Sequence, residues 1–255
     1  YYKQVKSLNK IIITQSDKIY NILTTAISSG KSTNKYWSIV DGLVASEYKV
    51  MTDVFSKWSQ NNIPDVYKKQ LILMDRKIKT TKRITAEAKR SAYQIVNSPG
   101  TAQTTQALTI DAIASFSGAA ARGLGSMKRL TRMSQQKIVT EAFIDRSVAE
   151  GFIAGDLRYG RNTIYKKLLD QLGNKQFVEA GRYRYNPKYY SELVTRTKFH
   201  EAQANAAVTT AINYESDLVR VSSHNTTTEI CQAYEGKIFS ITGKNKQFPL
   251  LGEVP

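Results

Sequence analysis

The chain has 255 residues, 41% hydrophobic and 23% charged, which is enough for one large domain or two modest ones with a real core. Its 37 lysines and arginines against 21 acids give a net charge of +16, and such an imbalance favours a polyanionic partner, duplex DNA being the obvious one; a plain soluble protein of lysine-rich composition is the alternative. A single cysteine excludes an intramolecular disulfide framework and suits a reducing cytoplasm, and the first residue, Tyr1, carries no targeting argument.

Residues 2–27 place Val5, Leu8, Ile12, Ile19, Ile22 and Ala26 at heptad-like spacing, with Gln15 interrupting the stripe. Ser28-Ser29-Gly30 ends that helix. Over 33–59, Val44, Tyr48, Met51, Phe55 and Trp58 recur at steps of four and three, as one apolar face of a second helix. Asn61-Asn62-Ile63-Pro64 predicts a break, with Pro64 opening the next helix.

That helix, 65–96, is the most basic segment and would run about 48 Å at 1.5 Å per residue if continuous. It carries Lys68, Lys69, Arg76, Lys77, Lys79, Lys82, Arg83, Lys89 and Arg90 against Asp65, Asp75 and Glu87. Three readings stay open: a solvated amphipathic helix, a face that contacts DNA phosphates without reading bases, and a docking helix for acidic protein surfaces. Helical phasing spreads the cations around the surface, and base-stacking aromatics are sparse, so duplex suits the DNA reading better than single strands.

Asn97-Ser98-Pro99-Gly100 is the clearest breaker and marks a boundary. Residues 101–133 predict a fourth helix with a small-residue centre that lets backbones approach closely. Its most apolar part, 107–125, carries Asp111 and Arg122 and is no membrane span. Gly123 and Gly125 predict a kink or break near 123–126. Lys128, Arg129 and Arg132 extend the candidate DNA-facing set in a stretch without acids. Shorter helices are expected at 136–153 and 161–172, joined by a loop at 155–161.

The pattern then changes. Phe177 to Tyr185 alternates around Gly181 as a short hairpin, and Asn186-Pro187 opens a helix over 188–214. On that helix Tyr190, Leu193, Val194, Thr197, Ala204, Val208 and Ile212 form the expected inward stripe. Strands are expected at 218–223 and 236–241. The fold class is mainly α, an elongated helical body followed by a small α+β C-terminal module. The expected regions are 1–97, 101–172 and 173–255.

No catalytic constellation emerges. His224 and Cys231 lie seven residues apart across a Thr-rich turn, but nothing orients the histidine as a base. The same pair makes half of a zinc site, which needs four ligands, or else a buried thiol and a turn histidine. His200, mid-helix beside Glu201, reads as a surface or packing residue. Glu235-x-Lys237 has a nuclease-like look without an upstream acid and reads as a turn-to-strand junction. Arg182, Tyr183, Arg184, Tyr185, Tyr189 and Tyr190 form an aromatic and cationic cluster of the kind enriched at protein interfaces.

The segments Tyr189–Thr197, Val219–His224, Cys231 and Glu235–Gly243, in that order, resemble the C-terminal part of the phage minor capsid protein 2 group and the wider Mu F-like head-morphogenesis family. The resemblance covers the last quarter well and the rest loosely. It implies a structural minor capsid protein of a tailed phage or prophage, present in few copies, in the virion at the portal vertex or capsid interior, and assembled in the host cytoplasm. Its implied partners are the portal, the major capsid protein and packaged DNA, with no membrane and no cofactor. It also implies a Pro-His-Pro-x-Cys stretch beyond Pro255 that would complete a zinc site with His224 and Cys231. Arg196 and Thr197 fall in the family-like segment, Arg196 either pinning the helix to the strand pair through a carboxylate or standing solvated. The alternatives are a nuclease or toxin-like enzyme and a plain duplex DNA-binding protein.

Overall fold

The computed structural model describes residues 2–31, 33–81, 92–149, 172–173, 175, 177–223 and 229–253. It is mainly helical, with short strands towards the C-terminus, as the sequence predicts. In chain order come α1 (Tyr2–Ser28), α2 (Asn34–Thr81), α3 (Ala92–Val96), α4 (Pro99–Ala149), β1 (Val178–Ala180), β2 (Tyr183–Tyr185), α5 (Pro187–Asn213), β3 (Leu218–Arg220), α6 (Glu229–Gln232), β4 (Ile238–Ser240) and a 3-10 turn at Leu251–Glu253. β1 and β2 pair antiparallel, as do β3 and β4.

The helix ends follow local chemistry. α1 stops where Gly30 takes φ +65°, a conformation glycine adopts without strain. The Thr33 hydroxyl accepts from the Tyr36 amide at the start of α2. Ser98 caps α4 by accepting from the Thr101 amide, with Pro99 at the first helical position. Asn186 caps α5 in the same way, ahead of Pro187.

Two expected breaks are absent. α2 runs through Pro64 to Thr81. Proline there costs about 3 kcal/mol through its missing N–H and its ring clash. The inward stripe does not lapse: Met51, Phe55, Ser59, Ile63, Tyr67 and Leu71 are all buried at a step of four, and that burial outweighs the proline. Likewise α4 runs unbroken from Pro99 to Ala149, joining the helices expected at 101–133 and 136–153. Gly123 lies on its buried face, between Ala119, Ala120, Ser126 and Met127, so packing on both sides offsets glycine's propensity cost of about 1 kcal/mol. The helix expected at 161–172 and the loop 155–161 lie outside the described residues, Leu172 excepted.

Two compact units emerge, each built from separated stretches of chain. The first comprises Tyr1–Asn61 and Ile110–Thr197. Its core takes Leu8, Ile12, Ile19 and Leu23 from α1, Val44, Tyr48 and Phe55 from α2, and Phe116 from α4. Phe55 and Phe116 stack with ring centroids 4.2 Å apart. Gln15 is buried within the α1 stripe it was expected to interrupt.

The second unit comprises Asn62–Thr109 and Lys198–Pro255. Ile63, Tyr67, Leu71, Ile95, Leu108, Phe199, Ala202, Ala206 and Phe239 are buried in it. Tyr67 and Thr209 share a hydroxyl hydrogen bond of 3.0 Å. The Tyr214 hydroxyl donates to Asp75 at 2.6 Å.

The inward face of α5 differs from the expected one beyond Val194. Tyr190, Ser191, Val194, Thr195, Lys198, Phe199, Ala202, Ala206 and Thr210 are buried, whereas Leu193, Thr197, Ala204 and Ile212 are exposed. Beyond Val194 this face is mostly small or polar around Phe199, while the apolar Leu193 and Ile212 that a periodicity argument would turn inward are exposed.

Candidate interaction surface

The β1–β2 hairpin in the first unit is set by three features. Gly181 takes φ +61° as the first residue of a two-residue loop, as such turns require. The Tyr48 hydroxyl donates to the Phe177 carbonyl at 2.5 Å. Opposite, α4 lets the hairpin in at Gly123: a Cβ there would lie 1.8 Å from the same Phe177 oxygen.

Polar bonds then hold β1 to α4. Arg122 donates through Nε to the Glu179 carbonyl at 2.9 Å, and the Ser126 hydroxyl donates to the Glu179 carboxylate at 2.5 Å. Arg129 donates to Ser126 Oγ at 2.7 Å, and Arg184 lies 3.9 Å from the same carboxylate. Burial pushes the Tyr48 phenol well above the usual tyrosine range, against the opposing pull of the Arg184 charge. Tyr48 therefore stays a neutral donor.

From this base the aromatics step outward. Tyr190, buried, packs on Phe116 and on Tyr185 with centroids 6.2 and 5.5 Å away. Burial raises its pKa, partly offset by the Arg122 charge. Tyr185 stacks on Tyr189 at 6.0 Å and lies 6.4 Å from Tyr183. Tyr183 is 69% exposed and Tyr189 57%, and Arg182 and Arg184 are exposed beside them. The predicted interface cluster thus has a packed half, Tyr185 and Tyr190, and a presented half. Ring contacts from behind restrict the exposed rings, which lowers the rotamer entropy that binding would cost.

The second unit holds the β3–β4 pair, where sequence reading missed the organising residue. The Asp217 carboxylate accepts from the Ser240 hydroxyl at 2.5 Å, from the Thr242 hydroxyl and amide at 2.5 and 2.8 Å, and from the Asn245 amide at 3.1 Å. These bonds, Ser240 first, hold its pKa well below the usual carboxylate range. The signal was an acid just before one strand and a Ser-x-Thr-Gly beginning on the last residue of the other. Glu235, in the turn before β4, accepts from the Ser223 hydroxyl at 3.3 Å, as a turn-to-strand junction does. In the same unit Tyr214 is pushed up to about 12, by burial first and then by its bond to Asp75.

The expected cation sites divide. Lys68, Lys69, Arg76 and Lys77 are exposed on α2, Lys69 paired with Asp65 at 2.7 Å. Arg129 and Arg132 are exposed and Lys128 half-buried on α4. Lys82, Arg83, Lys89 and Arg90 lie outside the described residues, as does the side chain of Lys79. So do His224 and the side chain of Cys231, the proposed half zinc site. Among the described residues no group of three or more His, Cys, Asp or Glu is placed to hold a metal ion. No helix among them is long and apolar enough to cross a membrane. Arg196 and Thr197 are both exposed, and no carboxylate among the described residues bonds Arg196. His200 is exposed, as expected.

A long-helix scaffold carrying an exposed aromatic and cationic surface backed by buried rings fits an assembly protein. The family model for phage minor capsid protein 2 matches residues 40–248, most of the chain. The chain belongs to that family and is a structural protein of the phage capsid, hence a component of the virion. No curated protein and no solved structure matches it.

Proposed function

We propose that the protein acts in head morphogenesis of a tailed phage or prophage, attaching in few copies to the portal or the procapsid interior through the β1–β2 hairpin surface. The role is structural rather than enzymatic. What supports the reading is the arrangement of Tyr183 and Tyr189, exposed but braced through Tyr185 and Tyr190 to the Phe116–Phe55 stack. Exposed aromatics held by a core, beside Arg182 and Arg184, are the anchors that protein interfaces concentrate. The exposed cations of α2 and α4 would face packaged duplex DNA by phosphate contact alone. The test is Tyr183→Ala with Tyr189→Ala, expressed beside the phage head proteins. Circular dichroism should be unchanged and co-sedimentation with procapsids lost. Wild-type co-sedimentation by the folded double variant would contradict attachment through this surface.

A further inference from the structure

Within the first unit, α1 and the start of α5 border a groove of about 670 Å³. Lys6 and Lys10 line it from α1, and Lys188 and Arg196 from α5. All four are exposed, and none has an acidic partner among the described residues. The single carboxylate in the lining, Glu192, is held by the Asn9 amide at 2.5 Å, and the Ser191 hydroxyl donates to the same asparagine at 3.4 Å. Apolar Val5 and Ile13 also line the groove, Ile13 being 39% exposed.

We infer that this groove is a docking site for a short acidic amphipathic helix of another protein chain. Charge complementarity carries the inference. Four cations without acidic partners among the described residues line one concave surface, which attracts a ligand of opposite charge. The apolar lining selects among polyanions. A phosphate backbone gains nothing from Val5 and Ile13. A helix that alternates glutamates with leucines places carboxylates on the cations and apolar side chains against Ile13, as groove-bound helices do. Arg196, whose planar fork takes a carboxylate bidentately, is the residue best suited to fix such a helix. This site shares no residue with the hairpin surface. Only the source of the helix, another head protein, rests on the assembly reading.

The test uses the full chain and a fluorescein-labelled glutamate–leucine peptide in helical spacing, followed by fluorescence anisotropy, with a lysine–leucine peptide and a short duplex DNA as companions. The acidic peptide should bind and the basic one should not. Lys10→Glu with Arg196→Glu should weaken the acidic peptide about tenfold or more. Lys244→Glu with Lys246→Glu, a reversal of equal size elsewhere, should leave it unchanged. No binding to the wild type, or equal weakening by the two reversals, would overturn the inference. So would a loss of duplex affinity in the groove variant as large as the loss of peptide affinity, which would make the groove a phosphate-tracking surface. Failure here leaves the assembly reading standing, and absence of the protein from particles leaves the groove's chemistry standing.

Discussion

The Tyr48 hydroxyl and the Phe177 carbonyl meet at 2.5 Å although 129 residues separate them in sequence. That bond fixes where the hairpin begins, and Gly123 removes the side chain that would push the same carbonyl away. The surface the protein presents is set by this contact more than by the hairpin's own pairing, which is three residues to a strand.

Gly123→Ala should therefore destabilise the fold by about 1–3 kcal/mol in urea unfolding, since backbone rather than a flexible side chain must move. Gly125→Ala is the control. Its added methyl would meet only Arg129 Nη1, at 3.9 Å. It should be neutral or stabilising by up to about 1 kcal/mol through helix propensity. Equal effects from the two would contradict the close approach at Gly123.

Tyr214 gives a signature at high pH. Its folded pKa of about 12 lies above the ordinary 10, so the folded state holds the proton more tightly. Its contribution is fully present below pH 10 and is lost as pH rises from 10 to 12. Absorbance titration should show a tyrosine with a midpoint near 12 that is missing in Tyr214→Phe. An identical titration curve in the variant would contradict the raised pKa of Tyr214.

Asp217 predicts the opposite dependence. Its folded pKa is depressed, so its stabilisation is present above the usual carboxylate value of about 4 and is lost as pH falls through the folded value. Asp217→Asn replaces one acceptor oxygen by an amide donor, facing hydroxyls and amides that already donate. Hydrogen exchange at the Thr242 and Asn245 amides should accelerate in the variant, and wild-type protection should fall at acid pH. Unchanged protection in Asp217→Asn would mean that the loop holds itself.

The sequence was most legible where local rules act alone. Gly30, Ser98-Pro99 and Asn186-Pro187 end or begin helices where they stand, and Gly181 turns the hairpin. Pro64 and Gly123 misled because their cost is local, whereas what offsets it is the burial of Ile63 and Tyr67 in one case and of Phe177 in the other. The α5 face was misread because Ser191, Thr195 and Thr210 are buried polar residues that no hydrophobic periodicity flags. Asp217 was overlooked because its four donors come from residues 23 to 28 positions later, a pairing that only the folded turn creates.

The most direct measurement is mass spectrometry of phage particles and procapsids purified from cells expressing the intact head-gene set. A structural capsid role predicts this chain in both, at a stoichiometry well below that of the major capsid protein. A chain abundant in the lysate but missing from both particle fractions would contradict it.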